Sequence, residues 1–302
     1  MKIVVTHMSP DWDAITSVWL IKKYLSGWQE ADVQFVPAGQ RWHNAKLQQE
    51  NIDQNNPIEK IGDDEVIHVD TGLGPLDHHQ IRESNVCAAS RTWDYVLAQF
   101  KEAKDHMTSE HKEAISRIVK IVVEIDHFGE VFWHDAASDI YEFSLLGVLE
   151  GFKYIKLGKD KEAYLFGVEC LNAMVSEFEN RIWAEREIKD KGIKFETRFG
   201  KGIGFETLND TVLKLSQKMG YILVVRKDPR KGYVRIKTLP DHDGKKGIDL
   251  TSAYEQLRKM DPDATWFLHV SKKMLLNGTP KNPKMIPTKL TLREIIKVLE
   301  RI

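Results

Sequence analysis

Short apolar runs alternate with segments of helical periodicity in the first half of the chain. Three runs of five residues, at positions 2–6, 33–37 and 65–69, are too short for helices and are typical of buried strands. The helices that the pattern predicts in this half are at 14–25, at 91–100, at 109–123 and, from a polar segment, at 47–56. This alternation predicts an α/β domain built on a parallel sheet with right-handed crossovers.

The second half of the chain has two different patterns. Residues 138–149 and 161–189 predict helices, and the apolar stripe of the second favours packing in a core or in a dimer interface over a cofactor site. Apolar runs at 221–226 and 233–239, joined by a polar turn with proline and glycine, predict a β-hairpin. A helix at 250–260, a strand at 265–270 and a closing helix at 290–302 are also predicted.

These patterns predict three segments of different character. An α/β domain occupies residues 1–150, a helical connector residues 151–204, and a smaller α/β domain residues 205–302. Glycines at positions 200, 202 and 204 punctuate the end of the connector. They do not indicate a phosphate-binding loop, because no Gly-Lys-Ser/Thr pattern accompanies them.

Composition narrows the classes of protein to consider. The chain has 302 residues, of which 42% are hydrophobic and 29% charged, which is typical of a globular protein with a sizeable core. A net charge of −1 argues against a global field for nucleic acid or for an anionic membrane. Two widely spaced cysteines exclude a thiolate zinc site and a disulfide framework. With no signal-peptide h-region and no run of roughly 18 apolar residues, a cytoplasmic protein without a membrane segment is expected.

Acidic residues and histidines follow the ends of the first and third predicted strands. The first strand leads into His7, Asp11 and Asp13, and the third ends at Asp70, seven residues before Asp77-His78-His79. Two glycines and a proline in between allow the chain to fold back and bring Asp70 near the histidines. Carboxylate and imidazole together suit a divalent ion such as Mn, Fe, Co or Zn. The alternatives are a polar surface turn and, for Asp11 or Asp13, a helix N-cap.

Four further residues lie close to these motifs. Asp126 ends another apolar run, just before a glycine. His68 lies inside the third strand, and burial in the core is the favoured interpretation. A structural role is also favoured for His127 and Trp12, although His127 can line a cleft and Trp12 can stack on a nucleic-acid base.

The order of these motifs resembles that of a known enzyme superfamily. H-x-x-x-D-x-D after the first strand, an acid ending a later strand, D-H-H and a further acid are similar to the DHH phosphoesterases, and the match covers residues 7–127. That superfamily includes RecJ-type exonucleases, oligonucleotide and cyclic-dinucleotide phosphodiesterases, and family II inorganic pyrophosphatases. The compact V-D-x-G followed by D-H-H-Q also resembles MYG1 proteins, whereas the first motif is closer to the general DHH pattern.

The resemblance implies a parallel-sheet, DHH-type catalytic domain with two divalent metal ions. Mn²⁺ is expected first, with Mg²⁺, Co²⁺, Fe²⁺ or Zn²⁺ as alternatives. The implied ligands are His7 and Asp11 for one ion, Asp13, His78 and Asp126 for the other, and Asp70 as the bridge. His79 would face the scissile phosphate and stabilise charge or protonate the leaving oxygen, while Asp77 would orient an imidazole. On an extended backbone, the neighbouring side chains of His78 and His79 are expected to point to opposite sides.

The implied activity is hydrolysis of a phosphoester by a hydroxide that two metals activate, in the manner of an exonuclease or a phosphodiesterase. The expected substrate is a nucleotide or a short single-stranded oligonucleotide. An inorganic pyrophosphatase, or a non-catalytic protein that binds a nucleotide or partner, is the alternative. The C-terminal domain would hold the substrate, and a homodimer is a further expectation. The candidate phosphate contacts, which can equally be solvated basic residues, are Arg226, Arg235, His269 and Lys272.

Overall fold

The computed structural model describes residues 1–46, 56–102, 107–244, 246–279, 282 and 284–302. The short helix expected at 47–56 therefore falls, except for its last residue, outside the described residues. The chain divides into two compact units, Met1–Glu179 and Asn180–Ile302. The boundary between the units lies within one long helix, Asp160–Asp190, and not near residue 150. The segment predicted as a separate connector is therefore divided between the two units.

The first unit is built on a four-stranded sheet with the order β2-β1-β4-β3. Its strands are β1 (Lys2–His7), β2 (Asp32–Val36), β3 (Ile58–Ile61) and β4 (Asp64–His68). Strand β1 is parallel to both β2 and β4, as the short apolar runs predict. Strand β3 was not predicted, since it has four residues and two of them are charged; it pairs antiparallel with β4 at the edge.

Within the described residues, five α-helices accompany this sheet. They are α1 (Trp12–Tyr24), α2 (Ala88–Glu102), α3 (Ser109–Asp126), α4 (Leu145–Ile155) and α5 (Asp160–Asp190), the last of which continues into the second unit. The prediction of a helix from residue 138 is wrong for its first turns, because Ser144 caps α4 by accepting a hydrogen bond from the backbone N–H of Leu146.

The main core of the first unit lies on the helical side of the sheet. Val4 and Ile67 from the strands are fully buried there with Trp19 of α1 and Ile118 of α3. The apolar stripe of α5 contributes to the same core, and Leu171 is only 1% exposed. The sequence left two roles open for this stripe, packing in a core and packing in a dimer interface, and the structure shows packing in the core.

The second unit has a six-stranded sheet with the order β5-β6-β7-β8-β10-β9. Its elements are β5 (Ile193–Thr197), β6 (Gly200–Glu206), α6 (Thr211–Lys218), β7 (Leu223–Lys227), β8 (Val234–Thr238), α7 (Thr251–Met260), β9 (Trp266–Leu268), β10 (Met274–Asn277) and α8 (Leu292–Leu299). The predicted hairpin is formed by β7 and β8, which pair antiparallel. The strand predicted at 265–270 ends at Leu268, and β10 was not predicted.

Strands β5 and β6 lie in the segment that the sequence assigned to a helical connector. The glycines of β6 are not punctuation but make room for packing across the sheet. A Cβ at Gly202 would overlap the ring of Phe195, and one at Gly204 would approach Ile296 Cδ1 to 2.8 Å. Glycine inside a strand marks a close approach of this kind, which glycine spacing alone does not distinguish from a loop.

None of the helices in the described part of the chain combines the length and apolar character that a membrane crossing requires.

Candidate metal centre

All six residues expected to bind metal come together at the carboxyl edge of the first sheet. His7 is the last residue of β1, Asp70 follows β4, and Asp126 is the last residue of α3. The remaining three, Asp11, Asp13 and His78, come from the start of α1 and from the turn after β4. Parallel strands end at the same edge, which is why motifs far apart in the chain meet here.

One half of the centre is formed around His7. Its Nε2 lies 3.1 Å from Asp70 Oδ2 and 3.7 Å from Asp11 Oδ2. Its Nδ1 donates to the carbonyl oxygen of Met8 at 2.8 Å. A carbonyl can only accept, so the proton of the neutral ring is on Nδ1 and Nε2 faces the acids as a lone-pair donor. Metal-binding histidines are commonly oriented by such a hydrogen bond.

The other half is formed around His78. Its Nε2 lies 3.5 Å from Asp13 Oδ2, 3.5 Å from Asp70 Oδ1 and 3.6 Å from Asp126 Oδ2. Asp70 therefore directs one carboxylate oxygen to each histidine, which is the position required of a bridging ligand.

The backbone of Asp70 is in the left-handed region, with φ of 52°. Few residue types adopt this conformation readily, and aspartate and asparagine are among them. The Asp70 N–H donates to the carbonyl oxygen of Leu76 at 3.1 Å, so the segment folds back on itself directly after β4. Unusual backbone conformations of this type concentrate at functional sites.

Mutual repulsion and burial perturb the carboxylates. Burial raises the pKa of Asp13 well above its ordinary value, and the charges of Asp70 and Asp126 raise it further. Burial likewise raises the pKa of Asp11 and of Asp126, and the charge of Asp70 adds to both effects. Asp70 is the exception: burial alone would raise its pKa, but its contacts with His7 Nε2 at 3.1 Å and His78 Nε2 at 3.5 Å lower the pKa overall. A divalent cation would relieve the repulsion that raises the other three.

The pKa values of the two histidines are raised as well. Burial alone would lower the pKa of His7, but its hydrogen bond to Asp70 and the nearby acids raise it to about 9. The contact of His78 Nε2 with Asp70 Oδ1 at 3.5 Å is the main reason that the pKa of His78 is also raised to about 9, against the effect of burial. Without a metal, both rings are protonated on both nitrogens and positively charged at neutral pH. A metal ion bound at Nε2 would replace the Nε2 proton.

The donor atoms fit a divalent metal. His78 Nε2, Asp70 Oδ1 and Asp126 Oδ2 are all buried and lack a hydrogen-bond partner, although polar atoms in such positions are normally satisfied. Within the described residues, three sets of side chains have donor atoms close enough to hold an ion: His7-Asp11-Asp70, His78-Asp126-His127 and Asp70-His78-His79. All of these donors are oxygen or nitrogen, which suits Mn²⁺ and related ions.

Asp11 and Asp13 also hold helix termini, so the N-cap alternative and the site position coexist. Asp11 Oδ1 accepts from the N–H groups of Asp13 and Ala14, each at 3.0 Å, while its Oδ2 faces His7. Asp13 accepts at 2.8 Å from Ala88 N and at 2.6 Å from Ala89 N, at the start of α2. Both oxygens of Asp13 thus have donors already, and among the described residues it belongs to none of the three ion-binding sets.

His79 lies beside this cluster, and its ring is exposed. Its Nδ1 donates to Asp77 Oδ1 at 2.7 Å and lies 3.8 Å from Asp70 Oδ1. Asp77 is fully buried and also accepts from Leu73 N at 2.7 Å. The carboxylate therefore has a fixed position and orients the imidazole.

The expectation that His78 and His79 point to opposite sides is wrong. Their ring centroids lie 4.5 Å apart. The argument assumed an extended backbone, but this segment is a turn in which Ile81 N donates to the carbonyl oxygen of His78 at 2.8 Å. Both rings therefore lie near Asp70, and this proximity does not assign them different roles. The difference between them is the hydrogen bond from His79 to Asp77.

His68 and His127 have well-defined contacts. His68 is 2% exposed, and its Nε2 accepts from Trp42 N at 3.0 Å, away from the cluster, as expected for a core residue. His127 Nε2 donates to the carbonyl oxygen of Val86 at 2.9 Å, and its ring lies 6.0 Å from that of His78. His127 is therefore a neighbour of the site, although its structural role was favoured from sequence.

A cavity of about 460 Å³ opens beside the cluster. Asp11, Asp13 and Asp126 form part of its lining, together with aromatic side chains that include Trp12 and Tyr141. Three further acids, Glu130, Glu142 and Glu150, also line the cavity, together with apolar residues that include Ile125 and Leu146. The sequence did not reveal these residues as part of a site, because they belong to turns and to a helix without a recognisable motif.

Lys153 is a second residue that motif analysis missed. It lies on α4, forms an ion pair with Glu150 at 2.7 Å, and helps to lower the pKa of Asp11 against burial. In the sequence, Glu150 and Lys153 have the spacing of an ordinary ion pair on a helix surface. Only the fold shows that this surface of α4 faces the cluster.

The four candidate phosphate contacts do not form one site. Arg226 is 7% exposed and donates to the carbonyl oxygen of Thr207 at 3.0 Å, and its Nε pairs with Asp210 at 2.7 Å. Arg235, which is opposite Arg226 on β8, also pairs with Asp210. His269 and Lys272 lie near the other end of β8, in the turn between β9 and β10. Lys272 pairs with Asp249 at 3.1 Å on the surface.

These contacts predict a structural effect for Arg226. We expect Arg226→Met to lower the free energy of unfolding by about 2 kcal/mol, because a largely buried charge-assisted network would be broken. Urea unfolding of the variant would measure this change. Lys272→Met, which removes an exposed pair, is the control and should change stability by less than about 1 kcal/mol. Equal stability of Arg226→Met and wild type would contradict this structural role.

Comparison with known proteins adds little at the level of the whole chain. No protein-family model matches the sequence, and no curated protein matches it. Among solved structures, the chain is similar to RecJ in complex with Mg²⁺ from Thermus thermophilus, with 12% identity and a TM-score of 0.28. The match covers 99% of this chain and 49% of that one, so the chain spans about half the length of RecJ. A TM-score this low does not establish a common fold.

Proposed function

We propose that this protein is a metal-dependent phosphohydrolase that cleaves a phosphoester of a nucleotide or short oligonucleotide. The observation that carries the proposal is the cluster of four carboxylates and two imidazoles, in which three buried donor atoms, His78 Nε2, Asp70 Oδ1 and Asp126 Oδ2, lack hydrogen-bond partners. Divalent ions held there, with Mn²⁺ as our first choice, would activate water and offset the negative charge of a phosphoryl group. The same activity is implied by the resemblance of the motifs to DHH phosphoesterases, including MYG1 proteins.

His79 has the properties of a catalytic acid for this reaction. Its ring is 58% exposed, so a substrate can reach it, while its Nδ1 is held by the buried Asp77. The hydrogen bond to Asp77 leaves Nε2 free to donate a proton to the leaving oxygen when the ring is protonated. Asp77 is the positioning residue, because it fixes the orientation of the ring without reaching the substrate itself.

The cavity beside the cluster supports a substrate that is larger than inorganic pyrophosphate. A volume of about 460 Å³ is within the range of small-molecule sites, and Trp12 and Tyr141 offer apolar surface to a base or sugar. The acids at Glu130, Glu142 and Glu150 would repel additional phosphates. We therefore propose that the cavity receives the nucleoside part of the substrate while the scissile phosphate lies between the cluster and His79.

Two finer assignments complete the proposal. His269 and Lys272 lie in the turn between β9 and β10 of the second unit, and we propose them as contacts for phosphate groups. We also propose a cytoplasmic location, which suits the two cysteines, Cys87 and Cys170, because both are free thiols.

Parallel assays would test the proposed function. Purified protein with Mn²⁺ would be given pyrophosphate, a nucleoside monophosphate, a cyclic dinucleotide and short single-stranded oligonucleotides. We expect turnover of one or more of the nucleotide substrates to exceed turnover of pyrophosphate by a wide margin. Turnover of pyrophosphate alone would instead support a pyrophosphatase. Binding of nucleotides without any turnover would support a non-catalytic protein.

A further inference from the structure

A buried arginine outside the motifs contacts the turn that carries Asp70. Arg41 lies in the segment after β2 and is only 8% exposed. Its Nη1 donates to the carbonyl oxygen of Gly72 at 2.6 Å, and its Nη2 donates to Glu59 of β3. A guanidinium group presents its donors in a fixed fork. Two such contacts therefore fix the position of the turn relative to the edge strand of the sheet.

Glu59 is a fixed partner for this arginine. It is 4% exposed, and its Oε1 lies 3.4 Å from Nδ1 of His68, the last residue of β4. Burial lowers the pKa of His68, so the ring is neutral, and its Nε2 accepts from Trp42 N. The ring proton is therefore on Nδ1, which faces Glu59. Burial alone would raise the pKa of Glu59, but its contacts with His68 and Arg41 lower the pKa overall, so the side chain is an anion at neutral pH.

The turn after Asp70 packs closely on the segment that contains Arg41. The hydroxyl of Thr71 donates to the carbonyl oxygen of Gln40 at 3.0 Å. Gly72 has a φ of 77°, and a Cβ built on it would lie 2.9 Å from Arg41 Cγ. A side chain at position 72 would therefore displace the arginine, and glycine permits the close approach.

Asp70 occupies a position that its surroundings have to hold. Its backbone is in the left-handed region, and its charge is repelled by the other carboxylates of the centre. Unusual backbone conformations persist where the surrounding contacts determine them. Arg41 and Gln40 supply such contacts to Gly72 and Thr71, the two residues that directly follow Asp70.

A role in stability alone is the alternative for the pair of Arg41 and Glu59. The free energy lost when two charges leave water roughly offsets their attraction, so a buried ion pair stabilises a fold little more than apolar residues of similar volume do. An apolar side chain at position 41 would fill the same space, but it would leave the carbonyl oxygen of Gly72 without its donor. The directed contacts of Arg41 thus favour a role in geometry.

We propose that Arg41 is a positioning residue of the metal centre. By holding the carbonyl oxygen of Gly72, it fixes the turn after Asp70 and keeps the bridging carboxylate between the two histidines. Glu59 acts with it by holding the guanidinium group in place. This inference rests on the proposed function, since it concerns the metal ions that the function requires, but it does not depend on which phosphoester is cleaved.

Isothermal titration of metal-free protein with Mn²⁺ would test this role in two variants. Arg41→Lys keeps the charge but replaces the fork by a single nitrogen. The double variant Arg41→Met/Glu59→Gln removes both charges together, so no unpaired charge is left buried, and glutamine keeps an acceptor for His68. We expect both variants to melt close to the wild type and to bind Mn²⁺ about 10- to 100-fold more weakly, as the loss of a group that orients a ligand does.

Arg226→Lys is the matched control for Arg41→Lys. Arg226 is 7% exposed and, like Arg41, donates to a backbone carbonyl oxygen and pairs with a carboxylate, but it belongs to the second unit. The control removes the same kind of fork at a distance along the chain from every metal ligand. It should therefore bind Mn²⁺ with wild-type affinity.

Electron paramagnetic resonance at saturating Mn²⁺ provides a readout that a general loss of stability does not change. Two Mn²⁺ ions that share a bridging carboxylate are magnetically coupled. We expect the spectrum of a coupled pair for the wild type and for Arg226→Lys, and weaker coupling for Arg41→Lys, because the bridging carboxylate of Asp70 would be less firmly placed.

The outcomes separate this inference from the proposed function. Wild-type Mn²⁺ affinity and coupling in both Arg41 variants would overturn the inference and leave the proposed function as it stands. Weaker binding that accompanies melting far below that of Arg226→Lys, with unchanged coupling at saturation, would show a structural role and would also overturn it. Mn²⁺ binding that depends on Arg41 in a protein that hydrolyses no phosphoester would support the inference and contradict the proposed function.

Discussion

Replacing Asp70 with asparagine should weaken Mn²⁺ binding at least about 100-fold at both halves of the centre, a larger loss than the removal of a supporting residue causes. The reason is that Asp70 directs its two oxygens to different histidines, 3.1 Å from His7 Nε2 and 3.5 Å from His78 Nε2. The substitution removes the negative charge that both bound ions would share. Asparagine adopts the left-handed backbone of position 70 as readily as aspartate, so the variant is expected to fold. Isothermal titration of metal-free protein with Mn²⁺ would measure the loss.

Asp243 provides a matched control for this experiment. It has a similar left-handed backbone, with φ of 48°, but its side chain is 84% exposed and belongs to the second unit. Asp243→Asn should therefore bind Mn²⁺ as wild type does. Circular dichroism of both variants would verify folding. If Asp70→Asn bound two ions with unchanged affinity, Asp70 could not be a bridging ligand.

His79→Ala should lower kcat by about 10²- to 10⁴-fold, the usual contribution of a general acid, while Mn²⁺ binding stays within a few-fold of wild type. The prediction follows from two features of His79: its hydrogen bond to Asp77 fixes the ring, and its 58% exposed side chain is accessible to a substrate. His78→Ala should instead weaken metal binding, because His78 Nε2 lies among three carboxylates. Saturating kinetics together with isothermal titration would separate the two effects.

Two further variants define the outcome. Asp77→Asn should reduce kcat less than His79→Ala, since it disturbs the orientation of the ring but leaves the ring in place. His134→Ala, at an exposed histidine of the same unit, should leave both kcat and metal binding unchanged. Equal loss of metal in His78→Ala and His79→Ala would show that His79 is a ligand and that the assignment of roles is wrong.

The parts of this fold that could be predicted are those in which local pattern and topology agree. Strands β1 and β4 are short apolar runs, and acids at the ends of parallel strands meet at one edge. That relation is sufficient to place His7 and Asp70 together although 63 residues separate them. The same reasoning does not reveal that Asp13 caps α2, because the N–H groups that it accepts from belong to Ala88 and Ala89, far along the chain.

Other features were not predictable because they depend on partners without a sequence signal. Glycine spacing in β6 indicates only punctuation of the chain. The space over Gly202 is filled by Phe195 of the neighbouring strand, and no sequence pattern reveals that contact. Arg226 and Arg235 were interpreted as substrate contacts because cations are frequent in that segment. Their common partner, Asp210, lies in a different element, and only the register of β7 and β8 brings both guanidinium groups to it.

The most direct test of the central claim is Mn²⁺-dependent hydrolysis of a short oligonucleotide by protein that has first been stripped of metal. The account predicts no turnover by the stripped wild type, recovery of turnover as Mn²⁺ is restored, and no recovery in Asp70→Asn at Mn²⁺ concentrations that saturate the wild type. Turnover by chelator-treated protein, or full recovery in Asp70→Asn, would contradict the assignment of this cluster as the catalytic metal centre.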